Sequence, residues 1–152
     1  MRVYRITKSQ YARDVSGTGA YLNGGRWNFP GIYVLYTAEN VALAILETLA
    51  HIRKEIIPQD FMLVTLEIPQ NAIVYLEDYI TLPKQWNELP PYNTFTMSIC
   101  AESVFQENLV LRVPSAITQK DFNYLINPLH PDIQSVKVIT HEVFEFDKRL
   151  LY

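Results

Sequence analysis

The stretch "GGRWNFPGIYVLYTAENVALAILETLAH" runs from Gly24 to His51. Its middle, IYVLYTA at 32–38, is rich in β-branched and aromatic residues and predicts a strand. AENVALAILETLAHIRK, at 38–54, predicts a helix, with Thr37 as N-cap and Glu39 in the first turn. Val41, Ile45, Leu49 and Ile52 recur at helical spacing and are read as its inner stripe. Glu47 is the single ionisable residue between Val41 and Ala50. Helical geometry groups it with Asn40, Leu43, Ala44 and His51. On these residues alone, that face is either a solvated surface with a weak Glu47–His51 pair, or the wall of a cleft.

Upstream of the strand, all five glycines of the chain fall between Gly17 and Gly31. Such a cluster suggests an unusual backbone path, or a ligand pressed against the main chain. Arg26 follows four of them. A guanidinium binds phosphate bidentately and keeps its charge at any relevant pH. Arg26 equally suits a surface position with its stem packed on Trp27. The segment has neither the G-x-G-x-x-G nor the G-x-x-x-x-G-K-[ST] pattern, so Rossmann and P-loop sites are not indicated.

Downstream, FMLVTLEI (61–68), AIVYLED (72–78), NLVLRVP (108–114) and VKVITHEVFEF (136–146) read as strands, with SVF (103–105) grouped among them. KSQYARD (8–14) and QKDFNYLI (119–126) read as short helices, the latter with Thr118 and Asp121 at capping-box spacing. VYRI (3–6) is a strand candidate, and ITLPKQWNELPPYN (80–93) is a proline-broken loop. Strands and helices without regular βαβ alternation imply an α+β class, with a mixed or antiparallel sheet and few helices. With 152 residues and no linker, the expectation is one domain over 1–152.

The net charge is −3 and the Lys and Arg residues do not cluster, which argues against nucleic acid as a direct partner. No apolar run approaches the roughly 20 residues of a membrane span. A lone Cys100 among apolar residues reads as a buried small hydrophobe. Without disulfides, leader or span, a cytoplasmic location is expected. His51, His130 and His141 are scattered and lack metal-ligand spacing, so no metal site is expected. Tyr36 ends the strand before the Glu47 helix, where residues often line clefts. Ser115, after Pro114 in RVPSAIT, suits a local turn hydroxyl or a ligand contact.

YRI near the start, GTGAYLNGGRWN, YVLYTAENVALAILETLAH, LRVPSAI, YLINPLHPD and FEFDKRL span nearly the whole chain in a fixed order. Together they resemble the RES-domain family, named for its Arg, Glu and Ser. The resemblance implies an ADP-ribosyltransferase-like fold. It implies a toxin of a bacterial toxin–antitoxin pair, partnered by an Xre-like antitoxin in a hetero-oligomer. It implies attack on NAD+ as substrate, without a cofactor. The family's arginine, tyrosine, glutamate and serine fall on Arg26, Tyr36, Glu47 and Ser115. Arg26 and Glu47 are then the expected catalytic residues, and Tyr36, Ser115, Trp27 and Asn28 the expected substrate-binding ones.

The chemistry of the residues agrees with that substrate. The pyrophosphate suits Arg26. The flat nicotinamide ring suits Tyr36 or Trp27. The cation left when the glycosidic bond breaks suits Glu47. Nicotinamide departs neutral, so no general acid is needed. Ser115 would position an acceptor hydroxyl or phosphate. Transfer to a protein side chain, and a non-catalytic antitoxin-binding module, are the alternatives.

Overall fold

The computed structural model describes residues 1–52, 59–88 and 94–151. The elements are β1 (Arg2–Lys8), α1 (Thr18–Asn23), β2 (Leu35–Ala38), α2 (Val41–His51), β3 (Phe61–Glu67) and β4 (Ile73–Tyr75). They continue with α3 (Thr94–Ser98), α4 (Ser103–Gln106), β5 (Val110–Pro114), β6 (Phe122–Ile126) and β7 (Lys137–Phe144). The strands form one seven-stranded sheet in the order β4-β5-β6-β2-β1-β3-β7. Only β4 and β5 run parallel; the other neighbours are antiparallel. The expected α+β class with a mixed sheet is therefore what the chain adopts.

Alternation along the strands gives the sheet two covered faces. Tyr124 and Ile126 join Val3, Leu35, Val64 and Leu66 on one side. Leu125 joins Trp27, Leu111, Val113 and Phe105 on the other. α2 covers a third cluster, where Leu43 and Ala44 meet Ala38, Tyr4 and Ile6. Small residues at Ala38 and Ala44 let the helix lie close to the sheet. Cys100 is fully buried, as expected.

Four local expectations are corrected. The α2 N-cap is Asn40, not Thr37: the Asn40 side chain accepts from the Leu43 N–H at 2.8 Å. Thr37 stays in β2, where its hydroxyl donates to the Tyr124 carbonyl, and Glu39 lies ahead of the helix and accepts from the Phe122 N–H. The inner face of α2 is the one carrying Leu43, Ala44 and Glu47, whereas Val41, Ile45 and Leu49 are half-buried at its flanks. The helix ends at His51, and Arg53 and Lys54 of the expected span lie outside the described residues.

The segment read as a helix at 119–126 is strand β6, paired with both β2 and β5. The Thr118 hydroxyl does accept from the Asp121 N–H. Yet Gln119 sits at φ 61, a left-handed residue that closes a turn instead of continuing into right-handed helix. SVF is helical, forming most of α4. The 80–93 segment is irregular over its described part, residues 80–88.

Candidate active site

A cavity of about 670 Å³ opens between α2, the glycine-rich segment and the sheet. That volume lies in the usual range for small-molecule and cofactor sites. Arg26, Trp27, Tyr36, Glu47 and Asn123 contribute to its lining. Residues far apart in sequence thus meet in one crevice.

Glu47 enters from the second turn of α2. Its Oε1 accepts two hydrogen bonds, from Ser115 Oγ at 2.8 Å and from Asn123 Nδ2 at 2.6 Å. Among the described residues, no hydrogen bond reaches Oε2. The Ser115 hydroxyl also accepts from the N–H groups of Ile117 and Thr118. Its proton therefore points at the carboxylate. Ser115, expected to meet a ligand, is fully buried, and its hydroxyl donates to Glu47.

Arg26 is half-buried, and its Nη1 donates to the main-chain carbonyls of Trp86 at 3.1 Å and Glu88 at 3.3 Å. Among the described residues, no carboxylate pairs with it directly. Burial lowers its pKa, while the Glu47 carboxylate and then the neighbouring Tyr36 phenol group oppose that shift. The guanidinium and the carboxylate thus sense each other without an ion pair, which leaves the space between them open.

Tyr36 ends up with both hydrogen-bonding roles of its phenol occupied. The hydroxyl donates to Asn28 Oδ1 at 2.7 Å and accepts from the Trp27 N–H at 3.1 Å. Burial pushes the phenol well above the ordinary tyrosine range, and Cys100 adds to the shift. The Trp27 and Asn28 hydrogen bonds and Arg26 pull the other way. The closest approach to the glycine backbone is internal: a Cβ on Gly25 would lie 2.6 Å from the Tyr36 hydroxyl. Gly17, at φ +70, presses on the Val34 backbone.

Two of the expected ligand contacts are almost wholly buried. Asn28 is fully buried, and its amide nitrogen donates to the carbonyls of Ala20, Phe29 and Ile32. Its oxygen is held by Tyr36, so it ties the loop together and presents nothing to a ligand. Trp27 is 2% exposed and packs in the core, its ring 5.5 Å from that of Trp86. The residue that the sequence reading missed is Asn123. The visible signal was a lone amide inside FNYLI, which was hidden by reading that segment as a helix. Among the described residues, no group of three or more His, Cys, Asp or Glu side chains could hold a metal ion. No helix among them is long and apolar enough to cross a membrane.

Fold and cleft define a small α+β protein in which a carboxylate on a helix and an arginine on a glycine-rich loop line one cavity. The chain belongs to the RES-domain family, whose domain matches residues 2–147. It is 39% identical to Toxin Res of Photorhabdus laumondii, over 99% of this chain and 97% of that relative. It is 33% identical to the Prs ADP-ribosylating toxin of a Sphingobium strain, over 99% of this chain and 94% of that relative. The fold is similar to a chain in the crystal structure of the M. tuberculosis MbcT–MbcA toxin–antitoxin complex. The TM-score there is 0.73 at 16% identity, covering 95% of this chain and 84% of that one.

Proposed function

We propose that residues 1–152 act as one RES domain, the toxin of a bacterial toxin–antitoxin pair, and that it cleaves the nicotinamide–ribose bond of NAD+. One observation carries the reading: a doubly anchored carboxylate and a half-buried arginine line one cavity of dinucleotide scale. The names of the relatives support it.

Arg26 would hold the pyrophosphate through the guanidinium edge left free by the two carbonyls. The Tyr36 ring, rather than its engaged hydroxyl, would stack on nicotinamide. The C1′–N bond breaks with its electron pair moving onto the pyridinium nitrogen, so nicotinamide leaves neutral. The ribosyl cation forms beside Glu47 Oε2, whose negative charge is fixed before the reaction begins. Water or phosphate then attacks C1′ and releases its proton to solvent. No cofactor and no metal enters this scheme. The protein works in the cytoplasm with an Xre-like antitoxin as hetero-oligomeric partner, and without direct nucleic-acid contact.

The test is mass spectrometry of NAD+ incubated with the purified chain, with and without phosphate. Nicotinamide should be released together with ADP-ribose, or with ADP-ribose carrying one added phosphate. Intact NAD+ after prolonged incubation would sink the proposal. Transfer to a protein is the second reading, favoured by the similarity to the Prs ADP-ribosylating toxin. Labelled NAD+ in a cell lysate separates the two, since a labelled protein band marks transfer and label in small molecules alone marks breakdown.

A further inference from the structure

We infer that Asn123 is a positioning residue that fixes the working carboxylate, together with Ser115, so that Oε2 alone faces the reacting sugar. The inference rests on the reading of Glu47 as the group beside the developing cation.

The register of the sheet puts Asn123 where this task needs it. On β6 it lies opposite Ala38 of β2 and Val113 of β5. Ala38 belongs to the cluster that α2 covers, so Asn123 shares the sheet face beneath that helix. Its neighbours in the strand are Phe122, Tyr124, Leu125 and Ile126, where an apolar residue would fold as well. Instead a carboxamide sits at 8% exposure, lines the cavity and reaches Glu47 Oε1 at 2.6 Å. An ionised carboxylate only accepts, so the amide must present its NH₂ group.

The two donors on Oε1 come from separate places, the end of β5 and the body of β6. Two directions on one oxygen set both the tilt and the rotation of the carboxylate plane, which one bond would leave free. Ser115 cannot do this alone, because its hydroxyl orientation is already dictated by the N–H groups of Ile117 and Thr118. Asn123 closes the arrangement from the sheet side.

The variants Asn123→Ala and Asn123→Asp, measured for nicotinamide release from NAD+, test the inference. Asn123→Ala should lower kcat by roughly 10- to 100-fold with KM within about threefold, as for a misplaced reacting group. Asn123→Asp keeps the shape but loses the donor and sets a second negative charge against Glu47. It should be at least as damaging as alanine. A packing role gives the opposite order, with Asp harmless and Ala harmful, and that order overturns the inference. An unchanged kcat in both variants overturns it too.

Crystal structures of wild type and Asn123→Ala provide a readout that needs no turnover. The Glu47 carboxylate should leave its place while the α2 backbone stays; a carboxylate that keeps its position refutes the inference. If wild type and Glu47→Gln alike leave NAD+ intact, the proposed function falls, and the crystallographic comparison still decides the role of Asn123.

Discussion

Glu47 and Arg26 face one cavity from sides that are built in different ways. Glu47 is held by two side chains, Ser115 and Asn123, at the end of one strand and within another. Arg26 is held by two main-chain carbonyls of the irregular 80–88 segment. Side-chain anchoring demands particular residues at 115 and 123. Carbonyl anchoring demands only a backbone path, because every residue carries the acceptor. The carboxylate is thus placed by residue identity on a stiff sheet, and the guanidinium by the course of a loop. Accordingly, 115 and 123 should tolerate no change, whereas 86 and 88 should tolerate several.

The sharpest way to break this contrast is Glu47→Gln. The amide oxygen can still accept from Ser115 and Asn123, so the fold should persist. In the proposed reaction, the charge beside the ribosyl cation is lost. Nicotinamide release should fall by about 10²- to 10³-fold or more, with the circular dichroism spectrum unchanged. A rate within a few-fold of wild type would remove Glu47 from the mechanism.

Arg26→Lys comes next. Lysine carries the charge but not the planar fork, so it cannot hold two carbonyls and a pyrophosphate together. KM for NAD+ should rise by roughly tenfold, with a smaller change in kcat. Initial rates over a range of NAD+ concentrations check this, and a fall in kcat at constant KM would contradict it. Gly25→Ala probes the loop itself. The added Cβ meets the Tyr36 hydroxyl at 2.6 Å, so the phenol or the loop must shift. Overpacking of this kind costs about 1–3 kcal/mol, readable in the urea midpoint.

How much of this was legible in the sequence follows from where each signal was local. The strand–helix pair from 35 to 51 was readable because alternation and helical spacing lie within the segment itself. The face of α2 was not, since Val41, Ile45 and Leu49 form as regular an apolar stripe as the one through Leu43 and Ala44. Only the sheet beneath decides between them, and it chose the stripe whose small Ala44 fits over Ala38. β6 was missed because polar residues at 118–121 mimic a helix start, while the pairing that makes 122–126 a strand is contributed by β2 and β5. Arg26, Tyr36 and Glu47 were found through the family motif. The burial of Trp27, Asn28 and Ser115 was not legible, since no motif encodes how deep a side chain lies.

Tyr36→Phe has a smaller expected effect that falls on stability before activity. It leaves Asn28 Oδ1 and the Trp27 N–H without a partner in the loop wall. A buried unsatisfied group costs about 1–3 kcal/mol, to be read in the denaturant midpoint. The wild-type phenol also predicts a pH dependence. Its folded-state pKa lies well above the unfolded one, because burial favours the neutral form. That stabilisation is complete below the unfolded value of about 10 and fades as pH rises through the folded value. The phenylalanine variant should therefore lose less stability than wild type when both are taken from pH 9 to above about 10.

Trp86→Ala should do least, and it tests the comparison most directly. The Trp86 ring packs on Trp27 at 5.5 Å, while the Trp86 carbonyl holds Arg26. Removing the ring leaves the carbonyl in the chain. The lost ring contact is worth about 0.5–1.5 kcal/mol beyond the apolar area it covers. If the backbone path alone anchors Arg26, KM for NAD+ should stay within about twofold of wild type while the melting temperature drops by a few degrees. A KM rise matching that of Arg26→Lys would mean that the indole ring, and so a particular residue, sets the path. The two sides of the cavity would then be built in the same way after all.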